Sequence, residues 1–205
     1  MENTKKSINV VQGVVIVAIG AALYGLGGLI GIPIFANTTI KPAMAILALF
    51  SGMYGPIIGF LIGFLGHLIT DSLSGWGIWI TWAIGSGIVG IVGGLYPIIT
   101  KNSIDKGIMN TKQIGLFILL AFIGNFFGYL ISAVLDYFIY TEPLNKVITQ
   151  QLLIAFVNTV VIAILGTLLM KMVASRNASK QNLVEEKEDD EVKKDDEVKK
   201  DDTEK

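Results

Sequence analysis

KPAMAILALFSGMYGPIIGFLIGFLGHLITD, residues 41–71, carries a charge only at its first and last positions. The uncharged chain between Lys41 and Asp71 exceeds the roughly 20 residues that an α-helix needs to cross a bilayer. It lacks the alternation of a barrel strand, and lipid offers backbone groups no partner, so helix is the expected form. The stretch also carries its own punctuation. In Ser51-Gly52-Met53-Tyr54-Gly55-Pro56 glycines flank a turn, and Pro56 suits the first position of a new helix. Read through, the stretch is one long helix; read with the break, it is two. Near its end His67 and Asp71 stand four apart, which places them on one helical face.

The same charge-free pattern recurs outward from this stretch. Lys6 to Lys41, Asp71 to Lys101, Lys112 to Asp136 and Lys146 to Lys171 are each uncharged between their ends. In a chain of 205 residues that is 52% hydrophobic, such gaps predict an all-α integral membrane protein. The apolar run Val10 to Ile34 after Lys5 and Lys6 is longer than a signal-peptide core, so it reads as a first span that is retained. Cysteine is absent, which removes disulfides and thiolate chemistry.

The near-neutral net charge of -1 conceals a split. Leu183 to Lys205 is strongly acidic, with Asp-Asp-Glu-Val-Lys-Lys occurring twice, and the remaining body is mildly basic. That basic excess flanks the apolar stretches, as membrane topology requires, and no basic patch with interleaved aromatics suggests a nucleic-acid partner. Six spans with an inside N-terminus put Lys5, Lys6, Lys101, Lys106, Lys112, Lys171, Arg176 and Lys180 inside and leave Lys41 and Lys146 outside. Five spans distribute the cations less unevenly, so six are expected. Approximate spans are Val10 to Ile32, Lys41 to Gly52, Pro56 to Thr70, Trp79 to Ile99, Gln113 to Tyr137 and Val147 to Val173. This divides the chain into a cytoplasmic N-terminus (1–9), a six-helix membrane domain (10–173) and a disordered, charged cytoplasmic tail (174–205). Both termini then face the cytoplasm across a plasma membrane.

Small residues repeat at four-residue spacing: Ala18 and Ala22; Gly27 and Gly31; Gly55, Gly59 and Gly63; Ser86, Gly90 and Gly94; Gly124 and Gly128. Such stripes let membrane helices approach closely, either within the bundle or against another protein.

Polar side chains inside spans are costly and are expected to pair or to face a cavity. His67 and Asp71, then Trp79, Thr81, Trp82 and Ser86, lie toward the outer ends of their spans. Asn125, Tyr129, Ser132 and Asp136 rise along one face of the fifth span, and Gln151 and Asn158 share a face of the sixth. If these faces converge they form an outward-opening cavity with aromatic walls. The candidate binding residues are Asn37, Lys41, His67, Asp71, Trp76, Trp79, Trp82, Ser86, Asn125, Tyr129 and Asn158. Structural readings stand beside several of them. His67 and Asp71 would also fix a helix end, the tryptophans would also serve an interfacial belt, and Lys41 would also snorkel to headgroups.

One histidine, no cysteine and no paired mid-membrane carboxylates leave little for catalysis. Neither a zinc-binding histidine pair nor a phosphate-binding Gly-Lys loop is present, so no enzyme activity, metal or cofactor is expected.

Between Val10 and Val173 the residues resemble the S components of energy-coupling-factor (ECF) transporters, within the riboflavin-transporter S-component-like group. The resemblance rests on Ala18-Ile19-Gly20-Ala21-Ala22-Leu23-Tyr24-Gly25, Gly31-Ile32-Pro33-Ile34, Lys41-Pro42-Ala43, Gly55-Pro56-x-x-Gly59-Phe60 and Gly66-His67-x-x-x-Asp71-x-x-Ser74-Gly75-Trp76-Gly77. It implies a six-helix domain that binds a vitamin or related nutrient, riboflavin being one candidate, beneath a lid formed by the first outer loop. It also implies that Ala18 and Ala22 dock on a membrane T component carrying two ATP-binding subunits. The acidic tail departs from the family pattern. A stand-alone channel or secondary carrier, and a scaffold recruiting partners through the tail, are the competing functions.

Overall fold

The punctuation at Gly55-Pro56 is a real break between two helices. In the computed structural model, which describes residues 8–35, 38–75 and 77–184, α2 (Met44–Tyr54) ends where Gly55 adopts φ +95°. That backbone conformation suits glycine alone among ordinary residues. Pro56 then opens α3 (Pro56–Ser74), where its missing N–H costs nothing. Gly75, left-handed at φ +77°, closes it.

The other helices are α1 (Val10–Gly27), α4 (Ile80–Gly93), α5 (Leu95–Ile99), α6 (Thr111–Ile139) and α7 (Leu144–Val161). Reciprocal capping boxes start α1 (Asn9 with Gln12) and α6 (Asn110 with Gln113), satisfying donors that a helix start leaves open. α4 and α5 together form one apolar run, Ile80–Ile99. α7 continues through a π-helical turn, Ile162–Gly166, giving a helical run of Leu144–Val184.

Five helical runs among the described residues are long and apolar enough to cross a membrane, and α2 is a shorter apolar sixth. At 11 residues α2 extends about 16 Å, short of the ~30 Å hydrocarbon core, so it covers only part of the thickness. The all-α membrane bundle expected from the sequence is therefore present, and the chain is a multi-pass membrane protein.

Two details differ from expectation. The connection between the first two expected spans holds a small antiparallel hairpin, β1 (Ile32–Phe35) and β2 (Thr38–Ile40), whose first strand begins at the expected end of the first span. The last helix runs on to residue 184, past the boundary expected at Val173. Its extension packs on the 100–110 loop: Asn177 Nδ2 donates to the Ile104 carbonyl at 3.0 Å, and Gln181 Nε2 to the Asp105 carbonyl at 3.0 Å. Residues 174–184 are thus helical and anchored, which corrects the expected disorder for that part; 185–205 lie outside the described residues.

Packing explains the glycine stripes. α3 lies on α4, α4 on α6, α1 on α3 and α6 on α7. A Cβ on Gly90 would meet the Gly59 carbonyl, and one on Gly63 would meet the Ser86 carbonyl. On the other side of α4, a Cβ on Gly128 would sit 2.8 Å from the Gly85 carbonyl. Backbones this close gain dispersion contacts, the main attraction left where lipid is as apolar as leucine. Outward-facing Val14, Ile19, Phe127, Phe156 and Leu168 remain exposed, as a lipid-facing surface requires.

Candidate functional site

The close seams at α3–α4 and α4–α6 draw polar side chains together at the hairpin end of the bundle. Ser86 on α4 is their meeting point. His67 Nδ1 on α3 lies 2.8 Å from Ser86 Oγ, the Tyr129 hydroxyl on α6 lies 3.0 Å away, and the Tyr24 hydroxyl on α1 donates to it at 3.2 Å. All four side chains are buried. His67 Nε2 faces Asp71 Oδ1 at 3.5 Å, while Asp71 Oδ2 accepts from the Trp79 backbone N–H at 3.0 Å. The i,i+4 pair read from the sequence is therefore a real contact, and it also ties the end of α3 to the start of α4.

In front of this network lies a cavity of about 720 Å³ of empty space, its open mouth included. Its lining includes Tyr24, Met44, His67 and Asp71, with Thr39 of β2 and Lys41 from the chain ahead of α2. Trp79, Trp82, Tyr129 and Asp136 line it as well. α7 contributes Lys146, Gln150, Ile154 and Asn158, each four residues from the next and hence on one face, and Glu142 sits just before that helix. The rings of Trp82 and Tyr129 are 5.3 Å apart and tilted by 50°, forming an aromatic wall.

Electrostatically the site is mixed. Asp136 is only 2% exposed and accepts from two neutral donors, Trp82 Nε1 at 2.7 Å and the Thr81 hydroxyl. Lys146 Nζ pairs with Glu142 Oε2 at 2.7 Å at the rim. Lys41 lies in the loop ahead of α2, where burial holds its ammonium below the usual lysine range and the nearby Asp71 carboxylate works in the opposite direction. Asn158 is 2% exposed; its side chain neighbours the Tyr129 hydroxyl, but its Oδ1 has no hydrogen-bond partner. A buried acceptor left unmade costs about 1–3 kcal/mol.

Of the residues expected from the sequence, Lys41, His67, Asp71, Trp79, Trp82, Tyr129 and Asn158 line the cavity. Ser86 does not line it but holds three residues that do. Asn125 is fully buried, donates its Nδ2 to the Ala121 carbonyl at 2.8 Å and does not reach the cavity. It shares the Tyr129 face, but four residues along α6 amount to about 6 Å of depth, which carries it below the cavity floor. Asn37 and Trp76 lie outside the described residues.

Sequence reasoning missed Tyr24, Thr39, Met44, Glu142, Lys146, Gln150 and Ile154 as lining residues, and it placed Asp136 on a polar face expected at the cavity without naming it a candidate. On α7 it is Gln150 that faces in, whereas Gln151 ties α7 to α6 by donating to the Phe126 carbonyl at 3.2 Å. Gln151 stands seven residues from Asn158 and Gln150 eight, so helical spacing alone does not favour Gln150.

Ala18 is exposed and Ala22 half-buried, on the face of α1 turned away from the bundle. Neither belongs to the internal seams, in which α1 uses Gly25 against Ile69 and Tyr24 and Ala21 against Gly66.

Comparison with known proteins bears on the whole arrangement. The family described as ECF-type riboflavin transporter, S component, matches residues 8–175. A UPF0397 protein of Vibrio atlanticus is 56% identical over 174 residues, covering 84% of this chain and 96% of the relative. Those of Vibrio vulnificus and Photobacterium profundum are 58% and 53% identical over the same share of this chain, covering 96% and 95% of their own lengths.

Proposed function

This chain belongs to the ECF-type riboflavin transporter S-component family, substrate-binding subunits of transporters rather than enzymes, and from that premise we propose that it captures a vitamin or related small nutrient at the hairpin-end cavity. The observation that carries the reading is the unpartnered, buried Asn158 Oδ1 on the wall of a cavity faced by Trp79, Trp82 and Tyr129. Aromatic walls with a few convergent polar groups are what small-molecule recognition uses. Riboflavin is a candidate by family.

In this reading the hairpin end faces the exterior, both termini face the cytoplasm, and β1–β2 forms part of the roof through Thr39. The chain holds no nucleotide-binding motif of its own. Energy comes from partners: a membrane T component, engaged through Ala18 and Ala22, and two ATP-binding subunits.

Mass spectrometry of whatever small molecule co-purifies with the full-length chain, followed by calorimetric titration with it, tests the proposal directly. A retained nutrient that binds in a one-to-one ratio is expected. A folded preparation that carries none, and binds no member of a panel of water-soluble vitamins and precursors, would remove the reading.

A further inference from the structure

Resting on that capture reading, we propose that the cargo is a positively charged nitrogen heterocycle, seated against Trp82 and Tyr129 and held by Asp136 and Asn158. Among the described residues, the charged groups lining the cavity are Asp71, Asp136 and Glu142 against Lys41 and Lys146, one negative charge in excess. His67 faces Asp71 at 3.5 Å and adds a charge only when protonated. The excess has a location. Lys146 is taken up by Glu142 at 2.7 Å, and Lys41 lies in the field of Asp71. Asp136, nearly fully buried, receives its hydrogen bonds among the described residues from the neutral Thr81 and Trp82, and the Lys146 and Glu142 charges nearby oppose each other.

A buried carboxylate whose nearest cation, Lys146, is already paired with Glu142 is expensive to keep ionised, and neutral donors offset only part of that cost. A carboxylate has about four lone-pair sites, so Asp136 can accept a further donor beyond these two. The Trp82 indole that donates to Asp136 also turns its ring toward Tyr129. Ring faces attract cations within about 6 Å of their centroids. Asn158, which neighbours Tyr129, adds an acceptor with no partner of its own. Two hydrogen-bond acceptors and two aromatic rings lining one cavity thus fit a flat cation bearing an N–H donor. They fit a neutral ring less well and an anion worst.

Isothermal titration of the full-length chain in lipid nanodiscs decides this, using thiamine and 1-methylnicotinamide, methylated on the ring nitrogen, as cationic probes, nicotinamide and riboflavin as neutral ones, and biotin as an anion. A cationic probe is expected to bind at least about tenfold more tightly than every neutral or anionic probe, 1-methylnicotinamide exceeding its near-isostere nicotinamide. D136N should erase that preference, and N158L should weaken the cations most. Should D136N fail to fold by size-exclusion chromatography, the wild-type contrast between the matched pair decides alone. Riboflavin or biotin binding as tightly as the cations overturns charge selection and leaves nutrient capture standing. Failure of every probe overturns the proposal, and a neutral or anionic co-purified molecule then shows that capture survives without it.

Discussion

Ser86 joins hydroxyl and ring groups from three other helices, and its value lies in its oxygen alone. Ser86→Ala keeps the Cβ that packs in the α3–α4 seam while removing the bond to His67 and the contacts to Tyr24 and Tyr129. Each former partner retains a neighbour: Asp71 for His67, Met44 for Tyr24 and Asn158 for Tyr129. The expected loss is therefore near the low end for buried hydrogen bonds, about 1 kcal/mol, read as a lowered melting temperature in detergent. An unchanged melting temperature would show that the hydroxyl is dispensable. Asn158→Leu is different in kind, because the proposed capture assigns its unpartnered oxygen to the guest rather than to the fold. It should lower affinity for the co-purified cargo at least about tenfold while size-exclusion behaviour stays native. Equal affinity would place the guest elsewhere. At this scale the sequence showed which residues were unusual, since an amide in an apolar span has no solvent to satisfy it. It did not show whether Asn125 or Asn158 meets the cavity, because that depends on depth as well as on face.

Glycine seams decide how the helices meet. Gly59→Val and Gly90→Val each drive side-chain atoms into the facing backbone carbonyl, so α3 and α4 must separate. Because the obstacle is backbone rather than a flexible side-chain end, both variants should lose most of the monodisperse peak in fluorescence-detected size-exclusion chromatography. Gly115→Ala, with open space around its position, should leave the peak intact. Retention of the peak by the valine variants would mean that the close approach is not needed. The four-residue stripes were legible as packing faces, yet their partners were not, since any small-residue stripe can mate with any other. The β1–β2 hairpin was missed for another reason. Its strands are too short to show the alternation that betrays a strand, and its pairing is set by the helices that hold its ends.

For the molecule as a whole, the question is which outer surfaces meet lipid and which meet protein. Ala18 and Ala22 form a shallow strip among exposed Val14, Val15, Ile19 and Leu23 on α1. Ala18→Trp or Ala22→Trp should abolish co-purification with the T component while leaving cargo affinity within about twofold of wild type. Parallel loss of both would show that the strip supports the bundle instead. Vesicles holding this chain alone should accumulate no cargo, whereas a stand-alone carrier would load them. The residues settled that the chain is helical and membrane-embedded, because the lack of charge over bilayer-length stretches is a local property that no later packing can reverse. They also settled the broken second stretch, since glycine and proline act on their own backbone. The cavity was decided only in three dimensions. Its walls come from residues as distant as Tyr24 and Asn158, and their convergence depends on how closely glycine lets α3, α4 and α6 approach, a distance that exists only once the helices have met.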